Sequence, residues 1–270
     1  MMVKDMLRLK GVRKVFNRKT VNEKVALDGI DLTLEKGEFV TIIGSNGAGK
    51  STLLNVIAGV YPVEEGAIEL DGRDITSLPE NLRASIIGRV FQDPLMGTAP
   101  SMTIEENLAM ASARGRRRGL GRGVTPQKRE LFAQYLRPLG LNLEDRLHTK
   151  VGLLSGGQRQ ALTLLMATLA KPKLLLLDEH TASLDPKTAK QIVALTREIV
   201  EKDGLTTMMV THNMEQALAM GNRLIMLHEG KVILDLNGSA KRAMTVSGLI
   251  KEFERIRGEK FTDDRVVLAD

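Results

Sequence analysis

The chain has 270 residues, 43% of them hydrophobic and 27% charged, and no cysteine. That composition lets one large or two small domains bury a core without cross-links, and it excludes disorder, a disulfide framework, a thiolate metal centre and a cysteine nucleophile. Lys and Arg exceed Asp and Glu by 39 to 33, a net charge of +6, which suits phosphate ligands, an anionic membrane or nucleic acid; aromatic residues at 3% argue against a base-stacking platform for single strands.

Residues 1–10 alternate apolar and charged side chains and hold no signal-peptide core, so the chain is expected to be made and kept in the cytoplasm. Met6–Val12 and Val25–Leu34 alternate in the same way and predict strands of a small antiparallel sheet. Residues 38–43 are nearly all apolar and β-branched, the pattern of a strand buried on both faces. A glycine-rich turn follows, then Leu53, Leu54, Val56 and Ile57 at helical spacing, closed by Gly59. Strand, glycine turn and helix make the first half of a parallel α/β unit.

Residues 101–170 predict helices. Thr103 with Glu106 forms a capping box, and Thr125-Pro126 starts a helix carrying Leu131, Phe132, Tyr135 and Leu136. The basic run 114–122 reads as a flexible loop, either solvated or touching anionic headgroups. Ala161–Ala170 is apolar but half the length a bilayer needs. Strands return at Leu174–Leu177 and Thr206–Thr211, with a helix opening at Asp185-Pro186 and ending at Gly204. A hairpin, Leu224–Leu227 and Val232–Leu234, turns at Glu229-Gly230. The expected organisation is one domain over residues 1–240, with a helical insertion over about 101–170, and a short tail over 241–270.

Gly44-Ser45-Asn46-Gly47-Ala48-Gly49-Lys50-Ser51 matches G-x-x-x-x-G-K-[ST]. Glycines let backbone N–H groups curve around phosphates, and the next helix points its positive end at them. Lys50 adds a mobile charge, and the Ser51 hydroxyl suits Mg²⁺. Together with Thr52 these are the candidate nucleotide-binding residues. Leu174–Leu177 runs into Asp178-Glu179, two carboxylates at the C-terminal end of a buried strand, where parallel sheets bind ligands. Asp178 suits Mg²⁺ and Glu179 suits a general base for the attacking water. Upstream, Leu154-Ser155-Gly156-Gly157-Gln158 precedes a helix. A capping box alone would account for Ser155 and Gln158; the same geometry also exposes N–H groups to a second anion.

These motifs, with Gln92 after a strand, Ser183-Leu184-Asp185 and His212, stand in an order that resembles ATP-binding cassette (ABC) ATPases over roughly residues 5–236. The Leu-Ser-Gly-Gly-Gln signature is specific to that family. The resemblance implies an α/β P-loop fold with a mostly parallel core sheet, an N-terminal antiparallel β subdomain and an inserted α-helical subdomain. It implies that Phe16 stacks on adenine and that Gln92 reaches Mg²⁺ and the attacking water. Ser155, Gly157 and Gln158 would bind an ATP held by a second copy of the chain, Asp185 would couple the two sites, and His212 would contact the γ-phosphate and orient Glu179. His180 stands where the family often has proline and is expected to be a loop residue.

With no span of its own, the chain resembles the ATPase subunit of a bacterial importer, peripheral at the cytoplasmic face of the membrane. It would work with a separate permease, touched by the loop Pro94–Pro100, and indirectly with a solute-binding protein. Amino acids are the expected solute class, and no nucleic-acid partner is expected. The alternative is a soluble assembly ATPase of the iron–sulfur type, with the same motor and no permease. A DNA-repair ATPase would need long heptads before the signature, a translation-type protein two cassettes, and a P-loop kinase no signature.

Overall fold

A computed structural model of the chain describes residues 5–116, 121 and 123–257. The chain divides into two units, Met1–Arg83 with Leu205–Asp270, and Ala84–Gly204.

The first unit opens with β1 (Asp5–Phe16) and β2 (Lys24–Glu35), paired antiparallel. Their alternating apolar residues are buried, as Leu7, Leu27 and Leu34 illustrate. β3 (Phe39–Gly44) is apolar on both faces and buried up to its last residue. It feeds the glycine loop and α1 (Lys50–Ala58), which Gly59 ends in the left-handed conformation. β4 (Glu65–Leu70) pairs with β1, and β5 (Arg73–Asp74) with β4, completing an antiparallel sheet in the order β2-β1-β4-β5. α2 (Glu80–Arg83) closes this half.

In the second unit, β6 (Ile87–Val90) and β7 (Leu174–Asp178) pair in parallel, Ile87 opposite Leu174 and Val90 opposite Leu177. Between them lie α3 (Ile104–Ser112), α4 (Pro126–Leu136) and α5 (Gly156–Thr168). Ile104, Leu108, Phe132, Leu136, Leu162 and Leu165 share one apolar cluster. Both predicted caps form: Thr103 and Glu106 make a full capping box, and the Thr125 side chain accepts from the Lys128 N–H. The four apolar residues expected on this helix all lie on α4. Phe132 and Leu136 are buried, but Leu131 and Tyr135 lie on the next stripe, 41% and 42% exposed. Of the basic run, residues 117–120 and 122 lie outside the described residues, and Arg114 is partly buried at the end of α3. α6 (Pro186–Asp203) buries only Ile192, Thr196 and Val200 and ends at Gly204.

The chain returns to the first unit at β8 (Thr206–Val210), then α7 (Met214–Ala219), β9 (Arg223–His228) and β10 (Lys231–Asn237). β8 and β9 both pair parallel with β3, and β10 pairs antiparallel with β9 through the Glu229-Gly230 turn. α8 (Gly238–Ala243) and α9 (Val246–Arg257) follow. Leu249 and Phe253 of α9 pack with Ile43, Met214, Leu224 and Met226, so the first part of the expected tail is folded onto this core. Residues 258–270 lie outside the described residues. Among the described residues no helix is long and apolar enough to cross a membrane.

Candidate functional site

The first unit holds the glycine loop, Phe16 and His212. Two main-chain contacts give the loop its shape. A Cβ on Gly44 (φ +150°) would lie 2.1 Å from the Leu227 carbonyl oxygen, and one on Gly49 (φ +99°) 2.4 Å from that of Ala26. Only glycine fits at both places. α1 starts directly after Gly49, with no side-chain cap and no acid in its first turn. The first N–H groups of a helix have no intrahelical acceptor and carry partial positive charge, so this cradle fits a chain of phosphates. Lys50 is 6% exposed, and its Nζ donates to the Gly44 and Ser45 carbonyls at 2.7 and 3.1 Å, which holds the ammonium inside the loop. Ser51 is exposed and Thr52 half-buried at the start of α1.

Thr211 N–H donates to the Ile42 carbonyl at 3.1 Å, so β8 ends beside β3 and His212 follows at the edge where the loop begins. Asn213 caps α7 behind it. Phe16 ends β1. Its ring meets Tyr61 edge-on at 5.2 Å and lies 5.3 Å from the Lys14 ammonium.

The second unit holds the acids, Gln92 and the signature. Four fully buried leucines carry β7 to Asp178. An Arg89 guanidinium nitrogen lies 3.9 Å from the Asp178 carboxylate. Glu179 has φ +44°, a left-handed conformation that costs a non-glycine residue about 1 kcal/mol or more. Such strain persists where the surroundings fix a side chain's direction. His180 is buried against α6, its Nε2 3.0 Å from Thr196 Oγ1. Burial pushes its pKa down to about 4, so the ring is neutral at pH 7. It is a loop residue, as expected, lying in the turn between β7 and α6, with its ring buried in the core.

Gln92 is exposed, and its main chain is tied on two sides. Gln160 Nε2 of α5 donates to the Phe91 carbonyl and Ser183 Oγ to the Gln92 carbonyl, each at 3.3 Å. Arg89 lies 4.5 Å over the Phe91 ring. Ser155 and Gln158 form a complete capping box on α5, so the purely structural explanation of that motif holds as well. Ser155 and Gly156 are exposed, while a Cβ on Gly157 would lie 2.2 Å from Thr188 Cγ2. Gly157 therefore lets the first turns of α5 and α6 approach closely. Asp185 caps α6, and hydrogen bonds from the Thr188 side chain and N–H hold its carboxyl below the usual range.

Two residues of this set are absent from the motif reading. Gln160 is fully buried; its one sequence signal is a second amide, after Gln158, at the head of an apolar helix. Arg89 gives no signal beyond a charge inside a short strand. Asn107, also fully buried, pins the loop before α3 by bonding both the N–H and the carbonyl of Ala99. Beside that loop is a hollow of about 350 Å³ lined by Met96, Gly97, Met110, Arg114 and Met166.

A family described as ABC transporter matches residues 27–182. The tyrosine transport ATP-binding protein of Clostridioides difficile (strain R20291) is 47% identical over 92% of this chain and 99% of its own length. The spermidine/putrescine import ATP-binding protein PotA of Haemophilus influenzae is 36% identical over 86% of this chain, which spans 58% of that relative. Among solved structures, the dimeric ATP-binding cassette MJ0796 in a post-hydrolysis state with ADP and Pi is 31% identical, with a TM-score of 0.74 over 86% of this chain and 98% of its own. The ADP conformation of MJ1267, a cassette of an ABC transporter, is 29% identical with a TM-score of 0.76, over 94% and 99%. A glycine loop whose shape fits phosphates, a strained acid at a strand end and these likenesses lead to one conclusion: the chain belongs to the ABC transporter family, as an ATP-binding cassette that hydrolyses ATP.

Proposed function

We propose that the chain is the peripheral ATPase subunit of an importer for amino acids, with tyrosine as the solute. The observation that carries this reading is the 47% identity with the tyrosine transport ATP-binding protein over nearly the whole of both chains. The importer needs a separate permease, fed by a solute-binding protein. The permease would dock at the hollow beside Pro94–Pro100, where Leu95 is 43% and Met96 69% exposed. Methionine side chains adapt to an incoming apolar helix. Nothing favours the iron–sulfur assembly alternative.

In the proposed cycle Gly44 to Thr52 hold the phosphates and Phe16 stacks on adenine. Ser51, Gln92 and Asp178 would hold Mg²⁺. A hydroxyl, an amide and a carboxylate are hard oxygen donors that suit this ion, and it takes few protein ligands when phosphates supply the rest. Mg²⁺ would offset the phosphate charge. Glu179 accepts a proton from the attacking water as the water oxygen bonds to the γ-phosphorus and the bond from that phosphorus to the β–γ bridging oxygen breaks, releasing ADP and phosphate, and His212 holds the γ-phosphate side. Ser155, Gly157 and Gln158 contact the ATP of a second copy of the chain, and Asp185 couples the two sites. Reconstitution of the chain with its permease and solute-binding protein in proteoliposomes tests the reading. ATP-dependent uptake of labelled tyrosine is expected. Uptake of polyamines or of no amino acid would overturn it.

A further inference from the structure

Lys24 opens β2, and its side chain reaches the phosphate loop. Its Nζ lies 3.6 Å from the point where a Cβ on Gly47 would stand. Two residues further on, the Ala26 carbonyl abuts Gly49, so β2 runs alongside the loop with Lys24 over its middle. Across the antiparallel ladder Lys24 is the direct partner of Phe16. It therefore stands between the aromatic residue expected beneath adenine and the glycines that cup the phosphates.

Electrostatics gives this placement a direction. Among the described residues the Lys24 ammonium has no ion pair or hydrogen bond. Its ammonium lies beside a loop that already holds Lys50 and the uncapped positive end of α1, with no acid in that helix's first turn. Like charges and a helix N-terminus repel a cation. The arrangement becomes favourable when an anion occupies the loop. Gly47 and Asn46 are exposed, so the approach from Lys24 is open.

We propose that Lys24 is a second cation of the nucleotide site, gripping the polyphosphate from the β2 side. The inference rests on the loop's binding of ATP. Its test is equilibrium binding of ATP, ADP and adenosine to the full chain and to Lys24→Met and Lys24→Arg. Lys24 is exposed, so both variants are expected to fold, with melting unchanged in the absence of nucleotide. Lys24→Met should weaken ATP and ADP about five-fold and flatten the salt dependence of binding. Adenosine affinity should not move, and Lys24→Arg should restore ATP affinity. Unchanged ATP affinity in Lys24→Met, with the native chain binding normally, overturns this inference alone. An equal loss for adenosine also overturns it, because Lys24 would then act through Phe16. A native chain that binds no ATP would overturn the loop assignment as well.

Discussion

At the scale of single residues the proposed base is Glu179, and its backbone at φ +44° separates two effects of substitution. Glu179→Gln keeps the backbone strain and the side-chain shape but removes the proton acceptor. Turnover should fall by about 10²–10⁴ while ATP affinity is retained, as measured by phosphate release and nucleotide binding on the same preparation. Retained turnover would remove Glu179 from the role of base. The position of Glu179 just past the end of β7 was legible because a fully apolar strand running into carboxylates is a pattern within the sequence itself. For His180, next to it, the loop placement was legible and the burial was not. Its burial and its bond to Thr196, sixteen positions along the chain, depend on the packing of α6. Lys24 was invisible for the same reason, since nothing local says that its ammonium reaches Gly47.

At the scale of elements, the helical part of the second unit is tied by a charge as well as by its apolar cluster. Glu105 of α3 accepts from Arg129 of α4 at 2.6 and 3.2 Å and lies 3.2 Å from His148. The hydrogen bond from Arg129 holds the Glu105 carboxyl below its usual 4.5. A carboxylate whose pKa is lowered by folding adds stability above the unfolded value and loses it as pH falls through the folded one. Glu105→Gln should therefore cost about 1 kcal/mol at pH 7, and the gap to the native chain should close below pH 4.5. Urea melts of both proteins across this range check it; a gap independent of pH would mean that Glu105 acts by packing alone. The capping boxes at Thr103 and Ser155 were readable because a cap is decided within four residues. The clasp between Glu105 and Arg129 was not, because it joins elements separated by the basic run. Arg83 is a similar case, 2% exposed and bonded to the Val56, Ile57, Thr76 and Leu78 carbonyls. A buried arginine that serves main-chain carbonyls has no pattern in the sequence.

For the whole molecule, the proposed head-to-tail pairing predicts that damage to the loop and damage to the signature fall in different active sites. Lys50→Ala removes the loop's cation, and Ser155→Arg places a bulky charge at the exposed start of α5. Each homodimer is then inactive at both of its sites. In a mixed dimer the loop of the Ser155→Arg chain faces the signature of the Lys50→Ala chain, and both are intact. The second site receives both lesions. Equimolar mixing gives mixed pairs in half of the dimers with one working site each, so about a quarter of native turnover should return if sites act independently. A chain carrying both substitutions, mixed with the native chain, makes the opposite combination: each site of the mixed dimer holds one lesion and none is whole. Steady-state hydrolysis of these mixtures decides the matter. Recovery in the first and none from mixed pairs in the second follows only if ATP lies across the interface of two copies, whereas no recovery in the first mixture would mean that each chain completes its own site.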